Sequence, residues 1–132
     1  MPIYVLRKPY ILINLIFAGI IACIMLYSGI FSAQKNNHPI VCSHMALTGK
    51  PCPTCGISRS FSEMVRGRFE SARNYNPYGP KIFLFFLVQL FLRLGISLLI
   101  SRKPSAEKYT WPADAIISIL LLLYCFGDLI LP

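Results

Sequence analysis

The feature that most constrains this chain is a long uncharged stretch near its N-terminus. Residues Tyr10–Phe31 are apolar apart from Asn14 and Ser28. At about 1.5 Å per residue, a helix of this length crosses a hydrocarbon core of about 30 Å. The stretch is too long for the apolar region of a secretory signal peptide, and a cleavage site after Ala33 would need a small residue where Phe31 stands. We therefore predict a membrane anchor.

Two further apolar segments have lengths that suit spanning helices. Residues 82–101 contain Arg93 as their one charge, and residues 113–131 carry Asp114 and Asp128 near their two ends. In the whole chain 55% of the residues are hydrophobic and only 14% are charged, whereas a globular protein averages about a quarter charged residues. The sequence therefore predicts an all-α integral membrane protein with three transmembrane helices.

These spans define the organisation of the chain. A basic flank, residues 1–9, precedes the first span at 10–31. A short loop, 102–112, joins the second and third spans into an antiparallel hairpin, with Pro112 at the start of the third. Residues 32–80 remain as the one segment long enough to fold outside the bilayer, so any legible function must lie there.

One helical pattern follows the cysteines of this segment. Residues 57–74 repeat apolar side chains at helical spacing and place arginines on other faces, which predicts a short amphipathic helix at the membrane interface. Ser60 and Glu63 have the spacing of a capping box, and Gly67 can divide the pattern into two short helices. Pro and Gly residues in 74–80 mark the turn back into the membrane.

Three cysteines crowd into the same segment, and they admit three interpretations. Cys42, Cys52 and Cys55 could bind zinc, with His44 as a fourth ligand. The Cys-x-x-Cys spacing before a helix is also that of a redox dithiol, in which Cys52 attacks, Cys55 resolves and Cys42 passes electrons onward. The third interpretation is a structural disulfide from Cys42 to Cys52 or Cys55, formed in an oxidising compartment.

The remaining sulfur and polar side chains lie inside the spans. We expect Cys23 and Cys125 to pack as small hydrophobic residues. Arg93 and Asp128 differ too much in depth for a direct ion pair. Asp128 lies instead near the level of Gln89, so we expect a polar contact there or with the extramembrane segment, or extension of Asp128 to the interface.

A family resemblance rests on residues spread over this segment. They are Cys42, Thr48-Gly49, Cys52-Pro53-Thr54-Cys55-Gly56-Ile57-Ser58-Arg59, Arg66-Gly67 and Asn76-Pro77. Through these residues the chain resembles a bacterial membrane family catalogued as domain of unknown function 2752. Ser58 stands at a position where that family usually has Thr. The resemblance implies a small bacterial integral membrane protein, and it implies no activity. Besides the cysteines, the shared motif residues that the resemblance implies are Gly56, Ser58, Arg59, Asn76 and Pro77.

The basic residues that flank the spans favour a cytoplasmic N-terminus, with the cysteine segment outside, in the bacterial inner membrane. We expect a non-enzymatic interaction or scaffold protein, whose cysteine-tied loop and basic helix contact anionic lipid headgroups or another membrane protein. Nucleic acid is not an expected partner. The alternatives are a membrane thiol-disulfide oxidoreductase that uses Cys52 and Cys55, and a zinc-stabilised loop at the membrane surface. Zinc is the one cofactor that the sequence suggests.

Overall fold

The computed structural model of the chain describes residues 8–31, 43–50 and 55–131. All regular secondary structure within these residues is helical. Three of the helices are long and apolar enough to cross a membrane. The prediction of an all-α protein with three membrane-spanning helices is therefore confirmed.

Six α-helices make up the described part of the chain. In order they are α1 (Pro9–Ile30), α2 (Ser43–Thr48), α3 (Ile57–Val65), α4 (Phe69–Tyr75), α5 (Gly79–Arg102) and α6 (Glu107–Ile130). A 3-10 turn at Pro104–Ala106 separates α5 from α6. Pro9 and Pro80 lie in the first turns of α1 and α5, where a missing N–H removes no intrahelical hydrogen bond.

The placement of Pro112 at the start of the third span was wrong. Helix α6 begins at Glu107, so Pro112 lies inside it. A proline inside a helix removes one backbone hydrogen bond. Pro112 lies close to the first turn of α6, where the backbone N–H groups have no intrahelical partners in any case, so the loss is small. The earlier start also moves Asp114 deeper into the helix, which matters for the polar contacts below.

Helix α5 is central, since α1, α3, α4 and α6 all pack against it. We call the end of the bundle that carries Cys55 the motif end, and the end at the α5–α6 connection the turn end. Ile11 and Ile100 form a small buried cluster at the turn end. A larger cluster at the motif end joins α3 to α5.

The cluster at the motif end is built around aromatic rings. Phe61 of α3 is buried with Ile82 and Phe83 of α5. The rings of Phe61 and Phe83 meet edge to face, with centroids 5.4 Å apart, a favourable geometry for aromatic pairs. This packing fixes the short helix α3 on the spanning helices, which positions the motif residues.

Candidate functional site

Gly56 joins the cysteine motif to α3, and the structure requires glycine there for two reasons. Its φ is 84°, in the left-handed region that L residues with a side chain rarely adopt. A Cβ at this position would also lie 2.5 Å from the backbone oxygen of Tyr75, the last residue of α4. The absence of a side chain therefore lets the end of α4 pack directly on the start of α3.

Asn76 holds the same junction with two hydrogen bonds. Its Nδ2 donates to the backbone oxygen of Cys55 at 2.9 Å, and its Oδ1 accepts from the backbone N–H of Tyr78 at 2.9 Å. The residue is 2% exposed. These two hydrogen bonds tie the cysteine loop to the turn before α5. Losing them would be costly, because a buried polar group without a partner is destabilising. Pro77, the next motif residue, is exposed in that turn.

Ser60 and Gly79 form a close contact that the sequence analysis did not find. Ser60 is fully buried, and a Cβ at Gly79 would lie 2.0 Å from Ser60 Oγ and 2.5 Å from its Cβ. Helix α5 can therefore begin against α3 only with glycine at position 79. A Gly-Pro pair at the start of a spanning segment was visible in the sequence, but its facing partner was not.

The predicted capping box was wrong. Gly56 is the N-cap of α3, and the backbone N–H of Ser60 donates to the Gly56 oxygen at 2.8 Å, so Ser60 lies within the helix. Glu63 instead pairs with Arg68: Oε1 accepts from Nη2 at 3.1 Å, and Oε2 lies 2.9 Å from Nε. The Glu63 side chain is completely buried, so this two-point pairing compensates a carboxylate removed from water.

Arg66 connects α3 to the C-terminal end of α1. Its Nη2 donates to the backbone oxygen of Gly29 at 2.9 Å, and its Nη1 donates to the oxygen of Ser62 at 2.8 Å. The last turn of α1 contains no basic residue. The final carbonyls of a helix lack intrahelical partners and favour a nearby cation. Arg66 supplies both a hydrogen-bond donor and a positive charge at the C-terminal end of α1.

Arg59 differs from the other motif residues. It is exposed on α3 and forms no hydrogen bond or ion pair with any residue that the structure describes. Ser58, beside it, is partly buried, and its backbone oxygen accepts from Ser62 Oγ at 3.2 Å. Arg73 of α4 is also exposed. Of the arginines on the two short helices, Arg59 and Arg73 are therefore available to another molecule.

The predicted cysteine and histidine ligands lie largely outside the described residues. Cys42, Cys52 and the side chain of His44 are outside them, and within them no group of three or more metal-ligating side chains occurs. Cys55 is disulfide-bonded. The two other cysteines that the structure describes, Cys23 and Cys125, are free thiols, so the disulfide partner of Cys55 lies outside the described residues.

The two cysteines of the spans do not share one role. Cys125 is buried, at 1% exposure, as expected of a small packed side chain. Cys23 is exposed on α1, so the expectation that it packs inside the protein was wrong. In a membrane protein the faces toward lipid and toward protein are both apolar, so the sequence could not separate these cases.

A second polar cluster crosses the three spanning helices. Arg93 of α5 donates through Nη1 to Asp114 Oδ2 of α6 at 2.5 Å and to Asn14 Oδ1 of α1 at 2.8 Å. Its Nη2 donates to Ser118 Oγ at 3.0 Å, and Tyr10 OH donates to Asp114 Oδ2 at 2.8 Å. The Arg93 and Asp114 side chains are 17% and 6% exposed. This cluster joins all three spans.

The other two acidic residues of α6 are paired as well. Glu107 lies 2.5 Å from Lys8 Nζ at the turn end, and Asp128 pairs with Lys81 at the motif end. Asp128 therefore pairs with Lys81 and not with Arg93. The sequence had argued against the Arg93 pair, but it had not indicated Lys81 as the partner. Each acidic residue of α6 thus contacts a basic residue, which is Lys8 just before α1 or a residue of α5.

One comparison with known proteins found a match. Residues 42–90 match the family model described as Protein of unknown function (DUF2752), which confirms the predicted resemblance. No curated protein and no solved structure matches the chain. The chain is a multi-pass membrane protein, and the matched region extends from the cysteine segment into α5.

Proposed function

We propose that this protein is a non-enzymatic interaction or scaffold protein of the bacterial cytoplasmic membrane. Its cysteine-tied loop, with α3 and α4, forms a platform that contacts anionic lipid headgroups or another membrane protein. The N-terminus lies in the cytoplasm and the platform outside, an orientation supported by the distribution of basic residues along the chain. Nucleic acid is not a partner in this proposal.

The observation that carries the proposal is how the motif residues are used. Gly56, Asn76 and Arg66 make contacts within the protein, and Arg59 remains exposed. Among the motif residues that the structure describes, these contacts hold α3 and α4 in place and leave the Arg59 guanidinium exposed on α3. An exposed guanidinium suits recognition of a phosphate or carboxylate.

The disulfide at Cys55 supports the same proposal and leaves one competitor. If the partner sulfur belongs to Cys42, the bond closes a loop and acts as a staple. If it belongs to Cys52, the bond is the oxidised form of a Cys-x-x-Cys couple at the start of α3, which favours the alternative of a thiol-disulfide oxidoreductase. A zinc-stabilised loop would require reduction first, because zinc binds thiolates.

Site-specific cross-linking tests the platform. A photoreactive residue is placed at position 70, an exposed position of α4, in wild type, in Arg59→Ala and, as a matched control, in Arg73→Ala, which removes another exposed arginine of the platform. In native membranes and in vesicles of phosphatidylethanolamine and phosphatidylglycerol, wild type and Arg73→Ala should give a discrete protein or phospholipid adduct in at least fivefold higher yield than Arg59→Ala. Equal yields from the three proteins in both settings would contradict the proposal.

A further inference from the structure

Three basic side chains crowd into the turn that joins α5 to α6. They are Arg102 at the end of α5, Lys103 in the turn and Lys108 in the first turn of α6. All three are exposed, and their side chains form no hydrogen bond or ion pair with any residue in the part of the chain that the structure describes. The turn end therefore carries three positive charges that these residues leave uncompensated.

The carboxylates nearest to this turn in the sequence are already paired. Glu107 Oε2 lies 2.5 Å from Lys8 Nζ, and Asp114, the next acidic residue of α6, is bound by Arg93. Among the described residues, the turn thus has no free acidic group that could pair with its cations. Its positive charge favours an anion from outside the bundle.

Helix stability accounts for only part of this arrangement. Arg102 lies in the last turn of α5, where a cation is favourable because the C-terminal end of a helix dipole is negative. Lys108 lies in the first turn of α6, where the same dipole disfavours a positive charge. The position of Lys108 therefore indicates an anion that the two helices do not supply.

Two exposed aromatic side chains locate these cations at the membrane surface. Tyr109 is 74% exposed and Trp111 is 58% exposed, both within the first two turns of α6. Tyr and Trp on spanning helices are typical of the headgroup layer, where their rings meet both lipid and water. Because α5 and α6 are long and apolar enough to cross the membrane, the turn between them emerges among lipid phosphates.

We propose that the α5–α6 turn binds anionic phospholipid, with the phosphate beside the three basic side chains and the acyl chains beside Trp111. A zwitterionic headgroup is a weaker ligand, because its ammonium group is repelled by the same cations. Each basic residue near the surface adds attraction for anionic lipid, so phosphatidylglycerol should be enriched about threefold over phosphatidylethanolamine. The site lies at the turn end and involves neither α3 nor α4, so it goes beyond the proposed platform.

Trp111 gives a direct measurement, because it is the one tryptophan of the chain. Its fluorescence is quenched by brominated acyl chains that contact it. The purified protein is placed in vesicles of equal parts phosphatidylglycerol and phosphatidylethanolamine, in two preparations that differ only in which lipid is brominated. Random lipid would quench equally in both, whereas the proposal predicts about threefold stronger quenching by brominated phosphatidylglycerol. In about 1 M salt, where the screening length falls to about 3 Å, the ratio should fall toward one.

Two variants of the turn separate charge from position. The combination of Arg102→Gln, Lys103→Gln and Lys108→Gln removes the charges and should bring the quenching ratio to about one. The combination of Arg102→Lys, Lys103→Arg and Lys108→Arg keeps the charges at the same positions. This matched control should keep the ratio near that of wild type, because the attraction depends on charge.

Any of four results would overturn the proposal. The first two are equal quenching by the two brominated lipids in wild type and a ratio that salt does not change. The third is an excess of phosphatidylglycerol that persists after the charges are removed. The fourth is quenching by neither lipid, which would mean that protein covers Trp111. Quenching of Trp111 does not report on cross-linking at position 70, so a failed turn site and a failed platform give different results.

Discussion

The side-chain amide of Asn76 donates to the backbone oxygen of Cys55 at 2.9 Å, across 21 positions of sequence. This bond joins the two ends of the stretch that holds α3 and α4, and Asn76 also accepts from the backbone N–H of Tyr78 immediately before α5. The cysteine loop is therefore attached to the start of a spanning helix. Several consequences of this arrangement can be measured.

Replacement of Asn76 should destabilise the platform. Asn76→Ala removes both hydrogen bonds of a buried side chain and leaves the Cys55 carbonyl without this donor, which should lower the free energy of unfolding by about 1–3 kcal/mol. Asn74→Ala, at an exposed position of α4, serves as control and should stay within about 0.5 kcal/mol of wild type. Denaturant titration in detergent micelles measures both, and equal effects would argue against the tie.

The contact between Ser60 and Gly79 predicts a coupled pair of variants. Gly79→Ala should destabilise the protein by about 2 kcal/mol or more, because its Cβ overlaps Ser60. In combination with Ser60→Gly, which removes both overlapping atoms, much of that loss should be recovered. Gly95→Ala in the same helix, where the space is open, should have little effect. A double-mutant cycle without coupling would refute this contact.

The Arg93–Asp114 pair should behave as a buried ion pair. Arg93→Leu or Asp114→Leu leaves one charge inside the bundle and should cost about 3–5 kcal/mol, whereas the double variant should lie within about 1 kcal/mol of wild type. Lys81→Ala breaks a pair whose side chains are 43% and 58% exposed, so it should change stability far less. Additive losses in the double variant would contradict the pairing.

The sequence predicted the three spans because their length and hydropathy are enough to identify them. It predicted the motif segment because the residue types of that segment differ from those of the apolar spans. It did not predict the Arg93–Asp114 pair. With the third span placed at 113, Asp114 lay at its edge; the observed start of α6 at Glu107 puts the carboxylate about two turns deep, beside Arg93.

The uses of Arg66, Ser60 and Gly79 were also hidden from the sequence. Each contact joins residues of separate helices, and neither helical periodicity nor local spacing encodes how two helices meet. Asn76 was marked as a motif residue through the family resemblance, and Gly56 through that resemblance and through its place directly after the Cys-x-x-Cys pair. Their physical roles emerged from the close packing of α4 on the start of α3.

The disulfide of Cys55 should also stabilise the platform. Cys55→Ser should lower stability by about 2–4 kcal/mol if a staple is lost, and a reductant should destabilise wild type but have no further effect on the variant. In the redox alternative, Cys52→Ser should leave the fold intact. Thermal unfolding with and without reductant distinguishes these outcomes.

Thiol counting with peptide mapping tests the central claim, a platform tied by a disulfide, most directly. The chain has five cysteines, so one disulfide leaves three thiols. Protein purified without reductant, unfolded and alkylated, should therefore take three alkyl groups, and five after reduction, with Cys55 linked to Cys42 in the digest. Five alkyl groups before reduction would contradict the account, and a Cys52–Cys55 link would favour the oxidoreductase.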